Sequence, residues 1–374
     1  MILHDQQQVE EERHHHELDM NQEVLFLNTH PRSLQDCFEV FEYIPKCVTD
    51  IPALKRITHE VLMDAAEDGV VYMEVRTGPK CLLWRHGSEE KRATKREYVE
   101  TIVEIMREFE MGERMRYERE VRCQEENDVV GRQRRIVRLP LIPRLIISVD
   151  RAGTVEQADE SINLAIELFQ QQQQQSTPDQ SKYIVGVELG GNPTRNDFTI
   201  FEASFERARR AGLRVAIHIG EVPMKSHDAK YNEALAVINF RPDRLGHALT
   251  LSSSLIELLE KDPIPIECCP TSNTMTLDFA LHHEGSLIDG IKMHPHLKKW
   301  IECNYPLSIN TDDSGIFCTT LSKEYLLIAK VFELDEKKLG EIVMKSVDHV
   351  FDDDIKVRLR SVIQSVVDLM LTMR

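Results

Sequence analysis

Short apolar segments alternate with helix-like segments along most of the chain. Seven of the apolar segments have the length and composition of buried β-strands. They cover residues 70–76, 143–150, 183–190, 214–219, 244–249, 264–269 and 306–311. Apolar positions at helical spacing predict helices at 155–169, 198–211, 252–261, 335–350 and 354–372. Regular alternation of strands and helices predicts a parallel sheet with helices packed around it.

This pattern predicts an α/β fold, specifically a (β/α)8 barrel. A closed barrel of this type needs eight strands, and the seven predicted strands leave the first one missing. Residues 1–33 are polar and are predicted to be disordered, so that residues 34–374 form the barrel domain. Residues 110–138 are predicted to form a helix extension plus an insertion. A second insertion is predicted near 170–180, with the glutamine run from Gln170 to Gln175 in a loop.

The composition of the chain limits which binding partners and which cellular compartment are expected for it. The net charge of -17 argues against a nucleic-acid backbone as partner, although a locally positive pocket can still bind one anionic nucleotide. Eight cysteines without paired spacing predict reduced thiols in a cytoplasmic protein. No apolar run approaches the roughly 20 residues that span a bilayer, so no membrane partner is expected. We expect a monomer that binds a small molecule.

Polar side chains follow each predicted strand in turn. They occur at Glu74–Pro79, Asp150–Arg151, Glu188–Asn192, His218–Glu221, Gly246–His247, Pro270–Asn273 and Asp312–Asp313. A single polar strand end is ordinary turn chemistry. Seven in succession predict one site at the carboxyl ends of the barrel strands.

Two of these strand ends carry histidines that suit metal or water chemistry. His218 ends an apolar strand and is a candidate zinc ligand, and Glu221 is a candidate general acid. A buried structural histidine and a carboxylate at a helix start are the alternatives. Gly246 allows close approach of the backbone, and His247 is a candidate for orienting an attacking water. A strand-end histidine bonded to a carbonyl is the alternative there.

The adjacent carboxylates Asp312 and Asp313 close an apolar run, where burying two like charges is unfavourable without a cation or hydrogen-bond donors. One of them is a candidate metal ligand and the other a candidate proton acceptor. An Asx turn followed by a helix cap is the alternative. Thr77, Gly78 and Lys80 are candidates for holding an anion, with an ordinary strand-to-helix turn as the alternative.

Taken together, His-x-Gly-Glu, Leu-Gly-His, Cys-Pro-Thr-Ser-Asn and Thr-Asp-Asp in this order resemble the adenosine deaminase family of metal-dependent hydrolases. The similarity is expected to span about residues 36–350. The segments Glu74–Lys80, Ser148–Arg151 and Asp312–Phe317 are similar to the branch that acts on N6-methyl-AMP and related nucleotides. Glu188 stands where the family usually has Asp, and Ala248 follows His247 where Gly is usual.

The resemblance implies a role for each matching residue. His218 and Asp312 would bind one Zn²⁺ per chain, Glu221 would protonate the purine ring nitrogen, and His247 and Asp313 would position the attacking water. The remaining implied contacts are with the substrate. Gly191 and Asp313 would hydrogen-bond the purine, and the sugar-phosphate end would be held by Thr77, Gly78, Pro79, Lys80 and Asp150. The implied reaction is hydrolysis of N6-methyl-AMP, or a similar purine nucleoside monophosphate, to IMP and an amine.

The family's first strand carries a His-x-His that supplies two further metal ligands. Its expected place falls at or before Met1, which predicts an N-terminally shortened chain. His14 and His16 have the right spacing but follow charged residues rather than an apolar strand, and residues 24–27 are the alternative strand. The competing functions are therefore a non-catalytic purine-binding protein, a shortened isoform, and a barrel hydrolase with another substrate.

Overall fold

The computed structural model describes residues 33–86, 89–129, 137–175, 182–225, 228–277 and 286–372. The predicted disordered segment 1–33, except for Ser33, and the alternative strand 24–27 therefore lie outside the described residues. No helix of the described part combines the length and apolar character that crossing a lipid bilayer requires.

The main sheet has seven parallel strands, in the order in which they occur along the chain. They are β1 Tyr72–Thr77, β4 Ile142–Asp150, β5 Ile184–Gly190, β6 Arg214–Ile219, β7 Arg244–His247, β8 Ile266–Cys268 and β9 Leu307–Ile309. All seven predicted strands are confirmed, with ends shifted by a few residues. A separate antiparallel hairpin consists of β2 Leu83–His86 and β3 Glu89–Arg92.

Helices connect and cover these strands. Before and after the hairpin they are α1 Leu34–Phe41, α2 Ile44–Cys47, α3 Ile51–Glu67 and α4 Lys95–Val129. Between the later strands they are α5 Val155–Gln175, α6 Glu202–Arg210, α7 Ala229–Phe240, α8 Ser253–Lys261, α9 Pro270–Thr276, α10 Leu287–Lys292 and α11 Leu297–Glu302. After β9 come α12 Ser314–Phe317, α13 Leu321–Phe332, α14 Glu336–Ser346 and α15 Lys356–Thr372.

The sheet curls so that its first strand faces its later ones. Arg76 of β1 forms ion pairs with Glu188 of β5, at 2.8 Å, and with Glu267 of β8. Arg244 of β7 reaches back to Glu74 of β1, at 2.5 Å between Nη2 and Oε2. Side chains of β1 contact those of β7 and β8 only if the sheet is rolled into a barrel wall. Within the described residues, β1 and β9 are the two edges, and no eighth strand joins them.

The amino-terminal half of the barrel interior is filled by Phe351. Its ring packs against Ile146, Val185 and Ala216, and a Cβ at Gly186 would lie 2.6 Å from the ring. Gly186 therefore leaves the space that Phe351 occupies. Phe351 thus closes the barrel interior at the amino-terminal ends of the strands. The interior remains open at the carboxyl ends, where the polar residues lie.

The glutamine run was predicted to lie in a loop, and this prediction is wrong. Helix α5 continues to Gln175. Glutamine has a favourable helix propensity, and the side chain of Gln172 accepts a hydrogen bond of 3.1 Å from the backbone N–H of Ile184. The helix extension predicted within 110–138 is confirmed, because α4 continues to Val129.

Candidate active site

Four predicted residues from three strand ends and a loop come together at the mouth of the curled sheet. The rings of His218 and His247 have centroids 5.1 Å apart. Nε2 of His247 lies 3.8 Å from Oε2 of Glu221 and 3.8 Å from Oδ2 of Asp312. The predicted acid, the predicted water-positioning histidine and the predicted metal carboxylate therefore share one small volume. Asp313 follows Asp312 directly at the same mouth.

The backbone at this site is strained. His247, Ala248 and Asp312 have φ values of 58°, 50° and 56°, in the left-handed region that residues with a Cβ seldom adopt. Such conformations cost about 1–3 kcal/mol each and cluster at functional sites. Ala248 adopts this conformation where the family usually has Gly, which explains why glycine suits the position.

Gly246 makes room for His218. A Cβ at position 246 would lie 2.9 Å from Cγ of the His218 imidazole, closer than side chains normally approach. The predicted close approach at Gly246 is confirmed, and the group that approaches its backbone is the imidazole of His218. Strands β6 and β7 pair here with His218 opposite Gly246, so the histidine lies flat across the neighbouring strand.

Glu188 supports His218 from the adjacent strand. Its Oε2 lies 3.4 Å from Nδ1 of His218. Glu188 is itself held by the hydroxyl of Ser148, which donates at 2.6 Å, and by Arg76 at 2.8 Å. Arg151, which is fully buried, donates to the backbone oxygen of His218. His218 is thus held by a hydrogen bond at its backbone, while its ring lies beside the Glu188 carboxylate without a hydrogen bond.

The site concentrates negative charge. Desolvation and then the like charges of Asp312 and Glu188 raise the pKa of Asp313 to about 7. Burial acts to lower the pKa of His247, but attraction to Glu221 and Asp312 outweighs it and leaves that pKa above its ordinary value. A carboxyl group with a pKa near 7 is suited to exchange protons at neutral pH.

The donor set fits a divalent cation. Nδ1 of His218 and Oε1 of Glu221 are buried side-chain atoms without a hydrogen-bond partner. His247, Cys269 and Asp312 form a cluster of possible ligands among the described residues. Burial raises the pKa of the Cys269 thiol well above its ordinary value, so the thiol stays protonated and is a poor ligand. The imidazole of His218 and the carboxylate of Asp312 remain as the candidate ligands.

The residues predicted to hold the substrate occupy the same rim. Gly191 has a φ of 87°, and a Cβ there would lie 2.3 Å from Oδ1 of Asp150, so only glycine fits beside that carboxylate. The Thr77 hydroxyl lies 2.8 Å from that of Tyr98. Gly78, Pro79 and Lys80 follow in the loop after β1, Pro79 buried and Lys80 exposed.

Some residues of the site carry no role in the sequence interpretation. Ser272 donates to Oδ2 of Asp312 at 2.7 Å, and Asn273 contacts His247 at 2.9 Å. Both residues belong to the Cys-Pro-Thr-Ser-Asn motif, which is the sequence feature that could have indicated them. His294 reaches Asn273 from the loop between α10 and α11. No strand-end pattern marks it, because it follows a helix.

The adenosine deaminase family profile matches residues 6–123 and 144–366. The chain belongs to the adenosine deaminase family. The match extends beyond the expected span of about 36–350 at both ends, and it includes His14 and His16, which lie outside the described residues. This family membership agrees with the curled parallel sheet and with the site at the ends of its strands.

Relatives and solved structures point to one branch. The chain is 30% identical to the N6-mAMP deaminase of Arabidopsis thaliana over 89% of its own length and 84% of the relative's. It is 27% identical to the human N6-methyl-AMP deaminase, over 86% and 78%. A crystal structure of Arabidopsis ADAL complexed with IMP is similar, with a TM-score of 0.70, 29% identity and coverage of 91% and 86%.

A more distant structure, a Burkholderia amidohydrolase with bound Zn, supports the fold alone. It has a TM-score of 0.60 at 19% identity, over 87% of this chain and 76% of that one. The predicted barrel class is confirmed by these neighbours, and within the described residues the barrel lacks a first strand.

Proposed function

We propose that this protein is a zinc-dependent deaminase of purine nucleoside monophosphates, which converts N6-methyl-AMP or a similar nucleotide to IMP and the amine. The observation that carries the proposal is the convergence of Glu221 and Asp312 on Nε2 of His247, each at 3.8 Å. Relatives that are 27–30% identical to the chain are named for this activity, and a similar structure holds IMP.

In this proposal His218 and Asp312 hold one Zn²⁺ per chain. When bound, zinc supplies a Lewis acid that lowers the pKa of water to about 7. Catalytic zinc usually has three protein ligands, so the site needs at least one ligand besides His218 and Asp312. The excess of carboxylates around the site gives a cation a favourable electrostatic environment.

The protein side chains divide the proton chemistry. Glu221 donates a proton to the purine ring nitrogen beside the attacked carbon, and Asp313 accepts the proton that the attacking water releases. His247 orients the water from its place between Glu221 and Asp312. The contact between Nδ1 of His247 and the side-chain amide of Asn273, at 2.9 Å, holds the ring in place.

The substrate lies against the rim formed by β1, β4 and β5. Gly191 and Asp313 hydrogen-bond the purine, while Thr77, Gly78, Pro79, Lys80 and Asp150 hold the sugar and phosphate. Lys80 is an exposed cation beside the strand end and is suited to a phosphate. A nucleoside that lacks the phosphate is then a weaker substrate.

We further propose a monomeric cytoplasmic protein without nucleic-acid or membrane partners. None of the eight cysteines forms a disulfide in the structure, which suits a reducing compartment. The net charge of -17 opposes binding to nucleic acids and to anionic lipid surfaces. Light scattering after size-exclusion chromatography tests the monomer, which a doubled mass would contradict.

A non-catalytic purine-binding protein is the second candidate. It is favoured by the presence, among the described residues, of only two of the ligands that the family resemblance implies for the metal. Both candidate functions predict binding of the nucleotide. Only the deaminase predicts that the bound nucleotide is converted to product.

The test combines metal content with product formation. The purified chain is loaded with Zn²⁺, its metal is counted by mass spectrometry, and IMP is measured after incubation with N6-methyl-AMP, AMP and adenosine. We expect near one zinc per chain and fastest turnover of N6-methyl-AMP. Asp312→Asn is expected to lose the zinc, whereas Glu221→Gln is expected to keep it and lose turnover. Nucleotide binding without any product supports the second candidate and contradicts the first.

A further inference from the structure

His294 is a buried histidine that contacts Asn273 beside the site. It lies in the loop between α10 and α11 and is only 5% exposed. Its Nδ1 accepts hydrogen bonds from the backbone N–H groups of Leu297, at 3.0 Å, and His296, at 3.3 Å. An imidazole nitrogen that accepts from N–H donors carries no proton of its own.

Burial keeps this imidazole neutral. Desolvation, with some repulsion from His296, lowers the pKa of His294 to about 3. A neutral imidazole has one protonated nitrogen, and Nδ1 is the acceptor. The proton of His294 is therefore on Nε2, which points toward Asn273.

The side-chain amide of Asn273 lies between two imidazoles. One of its polar atoms is 2.9 Å from Nδ1 of His247, and the other is 3.3 Å from Nε2 of His294. As placed, the NH2 group faces His294, which sets a donor against a donor. Rotating the amide by a half-turn keeps its shape and pairs the oxygen of Asn273 with the Nε2–H of His294. The NH2 group then donates to Nδ1 of His247.

We propose that His294 and Asn273 are positioning residues that set the tautomer of His247, keeping Nδ1 as an acceptor and the proton on Nε2. Nε2 is the nitrogen that lies 3.8 Å from both Glu221 and Asp312, so this tautomer directs an N–H into the site. The two carboxylates favour a proton on Nε2 of His247. The hydrogen bonds that lead from His294 through Asn273 to His247, which we call the relay, favour the same tautomer.

The tautomer decides what His247 can do. With its proton on Nε2, neutral His247 donates a hydrogen bond to the attacking water oxygen and stabilises negative charge that develops on it. It does not take the water's proton, which leaves that role to Asp313. This consequence rests on the proposed function, whereas the tautomer itself follows from the hydrogen bonds alone.

A second partner for the proton of His294 is the thiol of Cys268. Its Sγ lies 3.9 Å from Nε2 of His294, and sulfur is a weak acceptor. If the proton pointed there, Asn273 would keep its placed orientation and His247 would carry its proton on Nδ1. The two arrangements predict opposite tautomers of His247, so a direct observation separates them.

The direct test is nitrogen NMR of the metal-free protein labelled with ¹⁵N-histidine, at a mildly alkaline pH at which imidazoles are neutral. Because the chain has 15 histidines, the signals of His247 are assigned by their loss in His247→Gln. We expect a protonated Nε2 and an unprotonated Nδ1 for His247. A proton on Nδ1 of His247 in the wild-type protein overturns the proposal.

Two substitutions remove the relay in different ways. Asn273→Asp has the same shape but only acceptor atoms, so it draws the proton of His247 to Nδ1. His294→Asn keeps an acceptor for the N–H of Leu297 and removes the Nε2–H without adding charge. Both variants are expected to shift the tautomer of His247, and Cys268→Ala, the matched control on the other side of His294, is not. Folding of each variant is checked by circular dichroism, and a shift in Cys268→Ala alone overturns the proposal.

Kinetics then tests the link to the reaction. Loss of one hydrogen-bond donor to a developing oxyanion lowers kcat by about 100-fold or more. We expect a fall of that size in Asn273→Asp and His294→Asn, with KM little changed, and near wild-type kcat in Cys268→Ala. A shifted tautomer with unchanged kcat overturns the role in catalysis. If the wild-type protein turns over no nucleotide, the proposed function fails, while the NMR result still decides the tautomer.

Discussion

The ion pairs across the barrel interior are expected to stabilise the fold, and Glu267→Gln tests this. Glu267 is buried and forms ion pairs with Arg76 of β1 and, at 2.7 Å, with Arg244 of β7. Although desolvation acts to raise it, attraction to Arg76 and Arg244 lowers the pKa of Glu267 from 4.5 to about 2. Since a pKa shift of one unit corresponds to about 1.4 kcal/mol, the lowered pKa of Glu267 corresponds to about 3 kcal/mol of stability.

Glutamine resembles the protonated form of Glu267, so the substitution is expected to lower the free energy of unfolding by about 3 kcal/mol at pH 7. A depressed carboxyl pKa contributes stability that is present above about pH 4.5 and is lost as the pH falls through 2. The difference between wild type and Glu267→Gln is therefore expected to shrink over that window. Equilibrium urea unfolding followed by circular dichroism measures both quantities.

The matched control is Glu104→Gln. Glu104 pairs with Lys55 at 3.2 Å, but the two side chains are 53% and 40% exposed. Exposed pairs contribute about 0.2–1 kcal/mol, so this variant is expected to unfold almost as the wild type does. If Glu267→Gln loses less than about 1 kcal/mol, or if its loss is the same at pH 3 and pH 7, the reasoning is refuted.

Three further substitutions test the site and its surroundings. Gly246→Ala is expected to displace His218 and weaken metal binding by about tenfold or more, measured by competition with a chelator. Gly112→Ala, where a Cβ meets no atom within 4 Å, is the control, and equal metal affinity in both variants contradicts the expectation. Burial lowers the pKa of His349 to about 4, so wild-type stability falls as the pH drops from 6.5 to 4. His349→Gln is expected to flatten this slope in urea unfolding, and an unchanged slope counts against it. Asp312→Asn is expected to abolish zinc binding, and retained stoichiometric zinc excludes Asp312 as a ligand.

The strands and their polar ends could be predicted because both signals are local. A buried parallel strand is a short apolar run, and its carboxyl end places the next side chains at the mouth of the sheet. His218, His247 and Asp312 all follow apolar runs of this kind. The order of the motifs along the chain then indicated the family.

Contacts between distant segments could not be predicted from local patterns. The pairing of Arg76 with Glu267 joins residues almost two hundred positions apart and depends on how the sheet curls. The helical end of the glutamine run depends on a contact between Gln172 and Ile184. His294 is buried beside Asn273 by the packing of α10 and α11, and no sequence motif predicts this contact.

The measurement that tests the central claim most directly is release of methylamine and IMP from N6-methyl-AMP by the zinc-loaded protein. We predict turnover by the wild-type chain, loss of turnover in Glu221→Gln with zinc still bound, and loss of both zinc and turnover in Asp312→Asn. Zinc-loaded wild-type protein that binds the nucleotide and releases neither product would contradict the account.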